Sequence, residues 1–352
     1  MQESNQALII LTPGFPANEA DSTCLPFPQL FVKTLRQLYP SLQIIVLTFQ
    51  YPFEKKEYQW HGAQVVAFGG RNKGKFNRLM IWKAVLNSVQ KIIKQQSVVG
   101  ILNFWLGECG LIGKYAAKKY RLTHYTWLLG QDARANNRYV FFIRPHAQHL
   151  IALSDAVADE FYRNYKIMPA NIVPPGVNTK DIRAKDLVRN IDLLGAGSLI
   201  PLKQYVIFVT VVARLAVTRP SIRAVLCGDG IQRELLQKLI DGTGLSANIE
   251  LCGELNNEAV KALMRRSKIL LHPSSYEGFA TVYTEALYAG AHVVGFCRPM
   301  NEIFKNQHVV KNQEEMIAEV DTLLNDTNLN HDSIVTWPIE LTCEKILALY
   351  GI

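Results

Sequence analysis

The sequence has no cysteine pair at metal-ligand spacing, no hydrophobic run long enough to cross a membrane, and no basic, apolar leader. Its six cysteines, Cys24, Cys109, Cys227, Cys252, Cys297 and Cys343, are scattered without a CxxC pair, and several fall in apolar, strand-like runs. This pattern reads as reduced thiols in structural roles and excludes a disulfide framework or a zinc site. The longest apolar stretch, near residues 98–106, carries Asn103 and spans about half of the ~20 residues a membrane helix needs. The N-terminus, Met1 to Gln6, is polar with no basic region, and the first apolar run, 7–11, is far shorter than a signal-peptide core. The expected location is therefore cytoplasmic, with peripheral association at the inner face of the membrane as the alternative. Zinc-finger, RRM and basic-zipper signatures are also missing, so no nucleic-acid partner is expected.

What is present is apolar content sufficient for two cores. A chain of 352 residues that is 49% apolar is too long for one ordinary domain. The net charge of +8 is unevenly placed: residues 1–176 hold 20 Lys+Arg against 10 Asp+Glu, and residues 177–352 hold 18 against 20. A basic first half suits an anionic surface such as acidic lipid. Lys55, Lys56, Lys73, Lys75, Arg78 and Lys83 form one basic group on or near an amphipathic segment. A solvated face without a partner is the competing reading.

Short β-rich runs fall at 7–11, 43–49, 64–68, 98–103, 124–129 and 149–153. Helical spacing between them is clearest over 75–95, where Leu79, Trp82, Leu86, Val89 and Ile93 recur at three and four residues. Strand–helix alternation predicts a parallel sheet covered on both faces. Two prolines and a glycine within 172–178 interrupt the pattern and mark a linker. A second alternation follows, with strands expected at 191–197, 224–228, 248–252, 269–272 and 292–296. Helices are expected at 232–240, 257–265, 280–289 and 313–324. The terminal segment 339–350 reads as a helix crossing back onto the first domain. Two doubly wound sheets joined this way are expected to turn the carboxyl ends of their strands toward a shared cleft.

The most informative stretch is His272-Pro-Ser-Ser-Tyr-Glu277-Gly278-Phe279-Ala280-Thr281, continuing through Glu285 to Gly290. An apolar strand runs into a glycine-containing turn and then a helix, whose N-terminal amides favour a phosphate. Glu277 on the turn and Glu285 on the helix are placed to accept hydrogen bonds from vicinal hydroxyls, as on a ribose or hexose. Two carboxylates framing a phosphate-binding helix end suit a nucleotide sugar. Their alternative roles are a helix N-terminal acid and a solvated helix residue. Gly228-Asp229-Gly230 follows a strand and opens a helix, with Asp229 placed to cap it. In the first half, Gly14 ends the first strand, where a glycine allows phosphate or acceptor to approach closely and a plain turn serves equally well.

Glu277-Gly-Phe, then Glu285-Ala-Leu and Gly290, resembles the E-x7-E signature of the family-4 retaining glycosyltransferases, in their bacterial type. Supporting motifs follow the family's order from about residue 8 to residue 300: Ser154, the interdomain segment 171–178, and Gly195-Ala-Gly-Ser198-Leu-Ile-Pro-Leu-Lys203. The resemblance implies an α/β GT-B fold of two Rossmann-like doubly wound parallel-sheet domains. Residues 1–176, joined by 339–352, would hold the acceptor, and residues 177–338 the donor.

It further implies that Glu285 binds the ribose hydroxyls, that Glu277 contacts the donor sugar, and that the amides of Gly278, Phe279, Ala280 and Thr281 face sugar and diphosphate. Lys203 would neutralise the leaving diphosphate. The family's accompanying Arg is Ser198 here, with Arg134, Arg138 and Arg214 as candidate substitutes. Glu254, on Cys252-Gly-Glu-Leu255, stands where backbone groups hold the base, so uracil, guanine and adenine are not distinguished. The family's sugar-binding His is Leu129, which leaves Gln131 or Asp132 for that contact and makes Asp132 a catalytic candidate. The implied function is transfer, with retention, of a sugar from a nucleotide-diphosphate sugar to a glycan or lipid-linked acceptor, without metal or cofactor. An epimerase or hydrolase, and a nucleotide-sugar-binding protein without catalysis, are the other readings.

Overall fold

The computed structural model describes residues 6–22, 24–179 and 188–352. The polar start of the chain, Met1 to Asn5, and the side chain of Lys75 lie outside the described residues. Two compact units emerge, Met1–Pro175 with Ile339–Ile352, and Gly176–Pro338. The sequence put this boundary one residue later, at 176/177.

The first unit runs β1 (Gln6–Gly14), α1 (Pro26–Leu38), β2 (Gln43–Tyr51), β3 (Lys56–Trp60), β4 (Ala63–Ala67), α2 (Lys75–Gln95), β5 (Ser97–Phe104), α3 (Glu108–Tyr120), β6 (His124–Leu128), α4 (Arg138–Ile143), β7 (Leu150–Ala152), α5 (Asp155–Tyr165) and β8 (Asn171–Ile172). The eight strands pair in the order β3-β4-β2-β1-β5-β6-β7-β8. All ladders are parallel except β3–β4, an antiparallel edge hairpin that the sequence pattern did not announce. β1 is buried over nearly its whole length because helices cover both faces of the sheet. Its odd residues Ala7, Ile9 and Leu11 pack with α2 and α3, as the alternation of a strand requires.

α2 has the expected bounds but a rotated face. Ile81, Val85, Val89 and Ile92 enter the core, whereas Leu79 is 58% exposed. Neighbouring stripes along a helix both repeat at three and four residues, and packing on the sheet chose between them. α1 was hidden from the sequence by Pro26 and Pro28, which sit in the first turn, where an α-helix makes no use of their missing N–H groups. Ser154 caps α5 by accepting a hydrogen bond from Val157 N at 3.1 Å.

The second unit runs β9 (Ile191–Ala196), α6 (Tyr205–Ala216), β10 (Ala224–Cys227), α7 (Arg233–Gly242), β11 (Ile249–Gly253), α8 (Asn257–Arg266), β12 (Ser267–His272), α9 (Thr281–Tyr288), β13 (His292–Gly295), β14 (Gln307–Val309) and α10 (Gln313–Asn325). Its six strands are ordered β11-β10-β9-β12-β13-β14, and every ladder is parallel. Numbered from β9, this is the 3-2-1-4-5-6 order of a dinucleotide-binding sheet, whose switch point lies between β9 and β12. α6, rich in Val and Ile, escaped the sequence reading because β-branched residues favour strands; packing on both neighbours made it a helix.

α11 (Ile339–Ala348) belongs to the first unit. Thr342 donates to Pro174 O at 2.9 Å and Tyr350 to Ile101 O at 2.9 Å, while Tyr125 donates to Leu349 O at 3.1 Å. Gly100 makes room for this return: a Cβ there would lie 2.3 Å from the Tyr350 ring. The expected linker begins later than read, since Ile172 still pairs with Ala152 in the sheet. All six cysteines are free.

Candidate active site

The second unit gathers most of the expected residues at the carboxyl ends of β9, β10 and β12. β12 ends at His272, a turn covers 273–280, and α9 begins at Thr281. Ala280 precedes the helix in the left-handed region, at φ 59°. A non-glycine residue held there stores strain, and such strain clusters at functional turns. The turn is tied to the loop after β9: Ser275 N donates to Leu202 O at 3.0 Å, and Ser274 Oγ to the same oxygen at 3.3 Å.

This tie brings Lys203 to Glu277 across 74 residues of chain. Lys203 Nζ is 2.5 Å from Glu277 Oε1, and His272 Nε2 reaches the same oxygen at 2.6 Å. Burial opposes ionisation of Glu277 but is outweighed by the His272 hydrogen bond and the Lys203 charge, which bring its pKa down to about 2. Burial also lowers the pKa of His272, with Glu277 partly compensating. A neutral imidazole donating from Nε2 satisfies both groups, and this tautomer is assigned from the contact. Nδ1 of His272 then stays buried without a partner.

Beside this cluster is a cavity of about 460 Å³. Gly197 and Ser198 after β9, Gly228 and Asp229 after β10, Glu254 and Leu255 after β11, Val260 of α8 and Val282 of α9 line it. Gly228 is required: at φ 142° a Cβ would stand 1.9 Å from Gly197 O. Asp229 does not cap α7 as expected. Its side chain accepts from Gly230 N at 2.6 Å and pairs with Arg233 at 3.6 Å.

Glu285 lies one turn into α9 and is partly enclosed against α8. Burial raises its pKa to about 7, against the pull of Lys261 and a hydrogen bond from Asn257. Asn257 and Lys261, four apart on α8, therefore join the candidate site through Glu285, and His272, a strand end in the sequence pattern, joins it through Glu277. Their signal was the i, i+4 spacing on a helix, but nothing in the sequence says which helix faces α9.

Of the expected residues, Lys203, Ser198, Glu254, Glu277, Gly278, Phe279, Ala280, Thr281 and Glu285 all fall within this end of the second unit. Ser198 is exposed at the cavity, and Phe279 is 4% exposed and packs inward. Lys203 is not a free cation, since Glu277 pairs with it. Arg214 does not stand in for the missing Arg: it faces Glu314 at 3.9 Å from the far end of α6. Arg134 and Arg138 belong to the first unit.

Two expected residues of the first unit are held by their own surroundings. Asp132 is 7% exposed and spends its carboxylate on main chain, accepting from Leu106 N at 2.8 Å and Leu129 N at 3.0 Å. Burial raises its pKa to about 6 even so. It organises its own loop. Gly14 is buried against Leu25, Tyr51 and Cys24, with room for a Cβ at ordinary contact distances of 3.5–3.7 Å, so no ligand approach requires it. Among the described residues no group of three His, Cys, Asp or Glu could hold a metal ion.

Residues 179–334 match the family described as glycosyl transferases group 1. The gpi3 subunit of phosphatidylinositol N-acetylglucosaminyltransferase from Schizosaccharomyces pombe is 32% identical over 88 residues, which are 25% of this chain and 19% of that protein. The MMP alpha-(1->4)-mannosyltransferase of Mycolicibacterium hassiacum is 30% identical over 148 residues, 41% of this chain and 36% of that protein. The chain thus spans well under two thirds of these relatives. Among solved structures, a glycosyltransferase from Rickettsia africae superposes with a TM-score of 0.75 at 16% identity, covering 99% of this chain and 98% of that one. HepE of Anabaena, in complex with UDP and glucose, superposes with a TM-score of 0.71 at 15% identity, covering 98% and 99%. The family match is confined to the second unit and covers less than half of the chain, while the likeness to the solved structures shows that the two parallel-sheet units have the GT-B fold.

Proposed function

We propose that this protein is a retaining glycosyltransferase that takes a sugar from a nucleotide-diphosphate donor bound to its second unit. The observation that carries the reading is the Lys203–Glu277–His272 cluster beside the N-terminus of α9, at the switch point of a sheet with dinucleotide-binding strand order. The UDP complex of HepE supports a nucleotide in the corresponding fold.

In this reading the cavity holds the base and ribose, with ionised Glu285 accepting from the ribose hydroxyls. The diphosphate meets the N-terminal end of α9 and draws Lys203 toward it. Charge develops on that diphosphate as the sugar–phosphate bond breaks, and preorganised donors stabilise it. Glu277, fixed through one oxygen, presents the other to the sugar. The leaving diphosphate itself assists deprotonation of the acceptor, a glycan or lipid-linked hydroxyl assigned to the first unit. No metal takes part, so EDTA leaves the rate unchanged.

The test is calorimetric titration with UDP, GDP and ADP, followed by turnover with sugars on the nucleotide that binds and NMR assignment of the product anomer. Selective binding, lost in Glu285→Ala, supports the donor site; an inverted anomer rejects retention. Ser198, exposed where the family's Arg stands, favours a second reading as a nucleotide-sugar-binding protein. Tight binding without turnover on any acceptor would establish it.

A further inference from the structure

The sequence located its basic group around α2, but the structure leaves that group partly spent. Lys56 donates to Ala17 O at 2.9 Å and lies over the Tyr58 ring, and Arg78 faces Glu108 at 3.7 Å. A second concentration lies elsewhere in the first unit. From residue 109 to residue 154 the chain carries seven Lys and Arg, at 114, 118, 119, 121, 134, 138 and 144, against one acid, Asp132. That acid is buried and held by main-chain amides.

α3 and α4 gather these charges around apolar surface. Phe141 is 70% exposed and Phe142 65%, packed edge to face at 5.6 Å, and Tyr115 on α3 is 55% exposed. Two adjoining depressions of about 460 and 280 Å³ share Lys114, Lys118 and Ile143, and no carboxylate lines either one. Lys114 Nζ is pinned to Ile143 O at 2.6 Å and Arg144 O at 3.1 Å, which fixes α4 on α3. Arg144 is exposed beside the Phe141 ring, and Lys118 and Arg138 are exposed as well.

We propose that the α3–α4 face of the first unit docks on an anionic lipid bilayer. Phe141 and Phe142 enter the headgroup–acyl boundary while Lys118, Arg138 and Arg144 meet lipid phosphates. Two neighbouring phenylalanines have no polar end to satisfy in water and gain from burial in hydrocarbon, and the acid-free basic rim complements an anionic surface. Among the described residues no helix is long and apolar enough to span a membrane, so such a contact is peripheral. This inference stands on the first unit alone and is independent of the transfer reaction.

The test is co-sedimentation of the full chain with phosphatidylcholine vesicles and with vesicles containing phosphatidylglycerol, at low and high salt. Wild type is compared with Phe141→Ser/Phe142→Ser, Lys118→Glu/Arg144→Glu and, before and on α2, Lys73→Glu/Lys83→Glu, each checked for an unchanged melting temperature. Binding is expected to require the anionic lipid. Each α3–α4 pair should weaken it by about tenfold or more, since a cation near such a surface contributes on the order of fivefold. A variant pair that melts early is replaced by Phe142→Gln or Arg144→Gln, at exposed positions, with an expected weakening of about fivefold. No binding to anionic vesicles, loss confined to the α2 pair, or insensitivity to the phenylalanine pair would overturn the proposal. So would tighter binding to a single-stranded or duplex nucleic acid of equal charge.

Discussion

Glu277 Oε1 accepts from His272 Nε2 at 2.6 Å and from Lys203 Nζ at 2.5 Å, so one carboxylate oxygen is saturated while Oε2 has no protein partner among the described residues. A carboxylate held through one oxygen is fixed in place and keeps the other for a ligand.

Lys203→Met should lower kcat by about 100-fold or more, because a preorganised charge on a leaving group is worth several kcal/mol. Nucleotide affinity should fall less. Steady-state kinetics would check the split, and an effect confined to KM would show that Lys203 only binds.

Glu277→Gln should leave Lys203 without its counter-charge in a mostly enclosed position, destabilising the protein by about 2 kcal/mol at neutral pH. With its pKa depressed to about 2, the stabilisation from ionised Glu277 is fully present above the unfolded carboxylate pKa and is lost as pH falls toward 2. The difference in melting temperature between wild type and variant should therefore shrink as pH is lowered from 6 to 3, measured by circular dichroism.

Glu285 behaves in the opposite sense. Its pKa is raised to about 7, so folding favours the protonated form, and the group's contribution declines as pH rises from the unfolded value toward 7. Glu285→Gln should raise stability at pH 8 by about 1–2 kcal/mol and have little effect near pH 4, while weakening nucleotide binding. A variant that is less stable at pH 8 would contradict the burial argument.

Wild-type nucleotide affinity should in turn increase as pH passes upward through about 7, because the ionised carboxylate is the stronger acceptor for ribose hydroxyls. Calorimetry at pH 6 and pH 8 would register this, and the Glu285→Gln variant should lack the dependence.

Gly228→Ala should cost at least about 3 kcal/mol, since the added methyl meets a backbone carbonyl in a conformation that L residues rarely adopt. Chemical denaturation would measure it, and a near-neutral result would mean that the β9–β10 loops separate freely.

The alternation of apolar runs and helical spacing was enough to foretell two parallel sheets, because period-2 and period-3.6 patterns are local and survive without knowledge of the partner. The E-x7-E stretch was legible for the same reason: strand, turn and helix N-terminus are consecutive. Where local propensity and tertiary packing disagreed, the reading failed. α6 is β-branched yet helical, α1 begins with prolines, and α2 buries Ile81 in place of Leu79.

Sequence by itself determined the two α/β units, the returning helix α11 and the segment carrying Glu277 and Glu285. Tertiary structure decided which groups meet. Lys203 reaches Glu277 because β9 and β12 are neighbours in the sheet, Asn257 and Lys261 face Glu285 because α8 packs on α9, and Asp132 is withdrawn into its own loop by the amides of Leu106 and Leu129. A contact between residues distant in the chain depends on strand order and helix packing, which no local pattern encodes.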